Sequence, residues 1–292
     1  MDKFPNKYLE GSSRKKTVKL QKKAIALLCK TPHEEHINFL KQLRNTYDIY
    51  FICDQNISNL NLPKINNIHY IYYEDEFVAK KGYRNSLFPM GKKKTDYGLV
   101  TSWDKAFYYF CEINTKYSHI WFIEDDIFIP LPQTITNIDK KYSNKYDLLV
   151  RSNHKSEDGD IKKWGVGNQR WEQVLNEKYK LPLPWFRSMV CATRVSKRLL
   201  SKIKEIANKQ DTLVFHEYML NTLTHMNNLN VKVIDELKMI NFRHKNNIKN
   251  DYYNWNYDEI IDFTKLYHPM KDMKLQKVYH ELIAKKDKID TS

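Results

Sequence analysis

The chain has 292 residues, enough for one large α/β domain or two small ones. Aromatic residues make up 13% of it, with 20 Tyr and 6 Trp, which excludes a largely disordered protein although 29% of residues are charged. The formal net charge of +14 attracts polyanions in general, and charge alone does not choose among phosphorylated small molecules, nucleic acid and anionic membrane surfaces.

Seven glycines form neither a GxxxxGK[ST] loop nor a GxGxxG turn, so the phosphate-loop and dinucleotide fingerprints are absent. Cys29, Cys53, Cys111 and Cys191 are scattered through apolar segments without CxxC spacing. They read as reduced core thiols, which suits a cytoplasmic protein and argues against a zinc site. The apolar run near the N-terminus, Ala24 to Cys29, is too short for a signal-peptide core or a membrane span. The excess of Lys, Asn, Ile and Tyr suits an AT-rich genome, such as that of a large DNA virus.

Residues 1–23 are polar and basic, with Gly11-Ser12-Ser13 before Arg14-Lys15-Lys16, and read as a flexible arm. Ala24 to Cys29 is the first core strand and ends at Lys30-Thr31-Pro32. Glu34 to Leu43 then sets Ile37, Leu40 and Leu43 on one helical face, and Tyr47 to Cys53 is a second strand, ending at Asp54. Strand, helix and strand in this order open a parallel sheet. Asp54 also suits the start of an Asx turn. Ile68 to Tyr73 reads as a third strand, and Glu74 to Thr95 as a long polar loop whose Lys92-Lys93-Lys94 run is a solvated face. Thr101 to Phe110 is helical, with Thr101 or Ser102 as its N-cap.

The most informative stretch follows. Ile120 to Ile123 fits a buried strand and stops at Glu124-Asp125-Asp126 before Ile127-Phe128-Ile129-Pro130 resumes the apolar pattern. Ligands of open α/β sheets bind at the carboxyl ends of the strands, so three acids at this place are positioned to hold a cation. Mg²⁺ or Mn²⁺ takes carboxylate oxygens together with substrate phosphate oxygens, which points to a metal-bridged nucleotide. The alternative is an acidic turn closing a strand.

Beyond it come a helix over Ile135 to Lys141 and a strand over Tyr146 to Val150. In Trp164-Gly165-Val166-Gly167-Asn168, Trp164 offers an aromatic face to a sugar or acceptor, unless the glycines simply form a hairpin. A strand runs into Ser196, which caps a helix carrying Leu199, Leu200 and Ile203. Thr212 to Thr222 begins a helix with His216 and Glu217 in its first turn, an electrostatically favoured place for an acid. Val231 to Ile234 is a late strand, Ile261 to Leu266 alternates, and Met273 to Lys285 is an amphipathic helix.

The strand, Glu124-Asp125-Asp126 and the apolar run after it resemble the DxD region of glycosyltransferases with the nucleotide-diphospho-sugar (GT-A) fold, in the variant that reads Glu-Asp-Asp. The resemblance covers roughly residues 24 to 272. It implies an α/β, Rossmann-type three-layer sandwich around a central mixed, mainly parallel sheet. It also implies one domain over 24–275, with a nucleotide-binding half to about 130, an acceptor half after it, and a C-terminal helix and tail over 276–292. The implied activity is metal-dependent transfer, with Mn²⁺ or Mg²⁺, from a nucleotide-sugar donor, a UDP-sugar foremost, to a glycan or glycoprotein acceptor.

By the same resemblance, Lys30, Thr31 and Asp54 hold the nucleobase and ribose, and Asp104 and Lys105 border the donor. Asp126 is the chief metal ligand, assisted by Glu124 or Asp125, with His268 preferred to His244 as a further ligand and Lys271 meeting the diphosphate. Trp185 and Arg187 wall the acceptor side. Glu217 is the base that takes the acceptor proton, giving inversion. Golgi members of the family carry a membrane anchor that this sequence lacks, and virus-encoded cytoplasmic transferases, some of them xylosyltransferases, resemble it better. Two rival readings stand beside this one: a sugar nucleotidyltransferase, which usually has a Gly-rich loop after its first strand, and a basic nucleic-acid-binding protein, which leaves the acidic triplet unexplained.

Overall fold

The computed structural model describes residues 22–84, 100–157, 181–243 and 254–290. Its centre is a seven-stranded sheet of β1 (Lys23–Cys29), β2 (Tyr47–Cys53), β3 (Ile68–Tyr72), β4 (His119–Glu124), β5 (Leu148–Val150), β8 (Ala192–Ser196) and β9 (Val231–Val233), in the order β3-β2-β1-β4-β8-β5-β9. Only β8 runs against its neighbours β4 and β5; the other pairings are parallel. The sheet is thus mixed and mainly parallel, as expected. A two-stranded ribbon pairs β6 (His154–Ser156) with β7 (Trp185–Arg187).

The central strands β1, β2 and β4 are buried on both faces, and period two sorts their side chains. In β4, Ile120 and Phe122 enter the core on one face, Trp121 and Ile123 the core on the other. Helices α3 (Ser102–Tyr108), α5 (Lys197–Gln210) and α6 (His216–Met226) cover the first face, and α1 (Glu34–Leu40) and α4 (Pro132–Tyr142) the second, which makes three layers. Thr101 closes a capping box with Asp104 at the start of α3, and Ser196 Oγ accepts from the Leu199 N–H at the start of α5.

One expectation is corrected. The stretch after β3 is not all loop, because Asp75–Ala79 forms a short helix, α2. Its end is set by Gly82 at φ +80°, where an added Cβ would lie 2.4 Å from the Ala207 carbonyl oxygen of α5. The C-terminal helix α7 spans Met273–Asp290. Its Tyr279 and Ile283 bury against Phe128, Tyr267 and Met270 in a third core cluster, and His280 stacks on Phe39 and Phe128. Lys92 to Lys94, Trp164 and His244 lie outside the described residues.

Candidate active site

Strands β2, β1 and β4 are neighbours and end at the same edge, so Asp54, Lys30-Thr31 and Glu124-Asp125-Asp126 come together there. The Asp54 N–H donates to the Cys29 carbonyl, the Gln55 N–H to that of Lys30, and the Asp125 N–H to that of Leu28. The Asp54 carboxylate faces Ser102 at the start of α3, and that of Asp125 faces the Lys30 backbone N–H. Burial, reinforced by the charges of Asp126 and Glu124, pushes Asp125 up to about 6. Burial and then the Asp126 charge also raise Glu124, against the hydrogen bond that Trp103 Nε1 donates to its Oε1 at 2.8 Å. These acids oppose one another's ionisation, the condition that a cation relieves.

The C-terminal segment crosses this edge and brings His268 to the acids. Phe128 and Tyr267 exchange backbone hydrogen bonds, and the Met270 N–H donates to the Asp126 carbonyl at 2.7 Å. Nδ1 of His268 lies 3.0 Å from the Asn241 carbonyl, which can only accept, so Nδ1 carries a proton and Nε2 faces Asp126 Oδ2 at 3.4 Å. Burial works against a charged His268, but the hydrogen bond to Asp126 and the charges of Asp126 and Glu124 prevail and raise its pKa. Asp126 Oδ1 is buried without a hydrogen-bond partner. Ligand atoms of Glu124, Cys191 and His268 lie within 4.8 Å of one another. A buried orphan carboxylate oxygen beside an imidazole whose far nitrogen is held by a carbonyl fits a divalent ion well.

Glu217 stands next to this centre. It is 9% exposed at the start of α6, and Arg187 Nε donates to its Oε2 at 3.3 Å. Burial pushes its pKa up to about 7; the Arg187 charge works the other way, and the charge of Glu124 adds to the rise. Trp103 packs between His216, with ring centroids 4.4 Å apart, and Phe122, so one indole ties the start of α6 to the acid-bearing strand.

Three of the residues expected at the site are engaged within the fold. Asp104 Oδ2 accepts from both the N–H and the hydroxyl of Thr101, which spends that oxygen on capping α3. Lys105 is 0% exposed: it donates to the Asp54 carbonyl at 2.8 Å, pairs with Asp75 and covers the Tyr72 ring, tying the ends of β2 and β3 to α2. Trp185 is 1% exposed, its Nε1 donates to the Leu181 carbonyl, and it belongs to the core and offers no face to a sugar. Lys271 follows Met270 with an exposed side chain beside the acid motif. Arg187 lines a cavity of about 380 Å³ with Arg151, Ser188, Met189, Asn241 and Phe242. Sequence reasoning did not single out Trp103, Arg151, Asn241 or a site role for Cys191. A lone Trp in a helix, or a Cys between a strand and a loop, carries no local signal for a partner so far away in the chain.

No family model and no curated protein matches this sequence. Among solved structures, the chain is similar to a 4-diphosphocytidyl-2C-methyl-D-erythritol synthase from Anaerococcus prevotii, with 9% identity over 73% of this chain and 87% of that one and a TM-score of 0.40. It is also similar to mouse xyloside xylosyltransferase 1, with 10% identity over 85% and 97% and a TM-score of 0.37. A third likeness is to the mannosyltransferase Ktr4p from S. cerevisiae in complex with GDP, with 14% identity over 70% and 66% and a TM-score of 0.34. Among the described residues, no helix is long and apolar enough to cross a membrane.

Proposed function

We propose that the protein is a metal-dependent glycosyltransferase that moves a sugar from a nucleotide-diphosphate donor to a glycan or glycoprotein acceptor. The observation that carries this reading is the meeting of Asp126 and His268: the oriented imidazole Nε2 lies 3.4 Å from Asp126 Oδ2, and the other oxygen of that carboxylate, Oδ1, is buried without a hydrogen-bond partner, at the carboxyl ends of the parallel strands. Asp126 and His268 are the primary ligands, with Glu124 beside them. The imidazole favours Mn²⁺ over Mg²⁺, which prefers oxygen and water. When bound, the ion supplies Lewis-acid stabilisation to the departing nucleoside diphosphate.

Lys30, Thr31 and Asp54 receive the nucleoside at the ends of β1 and β2, and Lys271 offers a positive charge to the diphosphate. Glu217 accepts the proton of the acceptor hydroxyl at Oε1 or Oε2 as that oxygen attacks the anomeric carbon, so the product is inverted. A carboxylate raised to about 7 is matched to proton transfer near neutral pH. Arg187 holds Glu217 in place through the 3.3 Å contact. Asp126→Ala should abolish Mn²⁺-dependent binding of a nucleotide sugar, and Glu217→Gln should bind the donor normally while losing transfer. Unchanged nucleotide affinity in the first variant, or transfer by the second, refutes the respective role.

A further inference from the structure

The cavity beside Glu217 contains a cation that the proposed reaction does not use. Arg151 follows β5, and its Nη2 donates to Asn241 Oδ1 while its Nε is sealed from solvent without a hydrogen-bond partner. Among the described residues, no carboxylate forms an ion pair with it. Burial lowers its pKa, and the neighbouring Arg187 charge acts in the same direction. Arg187 differs, because Glu217 lies against it. A half-buried guanidinium that faces a second guanidinium and lacks a counter-ion is costly to keep unless something anionic arrives.

The space is suited to a ligand. Its volume of about 380 Å³ lies within the range of small-molecule sites, about 300–1,000 Å³. Phe242, 49% exposed, and Met189 supply apolar surface, and Ser152 supplies a hydroxyl. Its position is also informative. Asn241 takes the Arg151 hydrogen bond on its side chain and the His268 bond on its carbonyl, so the cation is one residue from the metal-side histidine. Arg187 lines the cavity and donates to Glu217, so the cavity lies one side chain away from that carboxylate.

We infer that this cavity is an acceptor subsite for an anionic sugar, with Arg151 receiving a carboxylate, sulfate or phosphate group of the acceptor through charge-assisted hydrogen bonds. The word acceptor rests on the glycosyltransferase reading; the anion site does not. The test is calorimetric binding of glucose, glucuronate and glucose 6-phosphate to the full chain, in wild type and in Arg151→Met, with UDP and Mn²⁺ binding measured in parallel. The expected result is that both anionic sugars bind wild type at least about tenfold more tightly than glucose. That preference should shrink with added NaCl and vanish in Arg151→Met, while UDP affinity stays unchanged. Equal affinities of the three sugars for wild type overturn the inference even if the variant does not fold. A preference that survives in Arg151→Met, or a variant that loses UDP affinity instead, overturns it as well, the latter assigning the guanidinium to the donor phosphates. An intact preference without any metal-dependent nucleotide binding would sink the glycosyltransferase reading and leave the anion site standing.

Discussion

Replacing Glu217 with Gln probes both the electrostatics and the chemistry of the site. The folded protein holds the Glu217 proton more tightly than the unfolded chain does, because burial lifts its pKa from an ordinary 4.5 to about 7. Stability from this group is therefore greatest below pH 4.5, falls as pH rises through the interval, and levels off above 7. The full penalty is about 3 kcal/mol, of which about 1 kcal/mol is already present at pH 5. The amide of Glu217→Gln has no proton to lose, so the stability of the variant relative to wild type should rise by about 2–3 kcal/mol between pH 5 and pH 8, whatever the change in the Arg187 contact contributes at both. Paired thermal melts at the two pH values, in EDTA to keep metal out, should show the Tm difference moving by about 5 °C in favour of the variant. A difference that does not change with pH would mean that Glu217 titrates normally, and would remove the physical basis for its role as a base near neutral pH.

Other substitutions test the frame that holds the site. Asp139 is buried on α4 and receives Arg194 Nη1 at 2.6 Å, the Tyr47 hydroxyl at 2.8 Å and Trp121 Nε1, so Asp139→Asn should destabilise by about 3–5 kcal/mol in urea unfolding. Gly82→Ala combines a positive φ with a backbone clash against α5 and should cost about 2 kcal/mol or more, read from the same titration. Trp185→Ala should lower stability by about 3–5 kcal/mol because it empties a core position, and a variant of wild-type stability with weakened acceptor binding would restore the sugar-platform role rejected above.

The parallel half of the fold was legible because period and length speak clearly there. β1, β2 and β4 are uninterrupted apolar runs, each followed by polar residues, and a strand buried on both faces has few other ways to look. The acid triplet was legible for the same reason, since a run like Ile120 to Ile123 leads nowhere else than to a strand end. His268 was placed by family pattern, and the contacts that orient it, the Asn241 carbonyl and the Phe128–Tyr267 bridge, are tertiary and leave no periodic trace. Lys105 and Trp185 show a shared limit of the sequence: a charge or an indole near a motif suggests a ligand, and their burial in internal hydrogen bonds has no local signature. The anionic-site candidate, Arg151, is a single residue just after a three-residue strand, and only its lack of a carboxylate partner among the described residues draws notice.

At the heart of the proposed function is a metal-bridged nucleotide sugar at Asp126 and His268. Calorimetric titration of the purified chain with UDP, GDP and their common sugar conjugates tests it most directly, first with Mn²⁺ and then with EDTA, in wild type and in Asp126→Ala. One nucleotide sugar should bind wild type only with metal present, and Asp126→Ala in neither condition. Nucleotide binding that ignores EDTA, or salt-sensitive binding to nucleic acid in place of any nucleotide sugar, would contradict it.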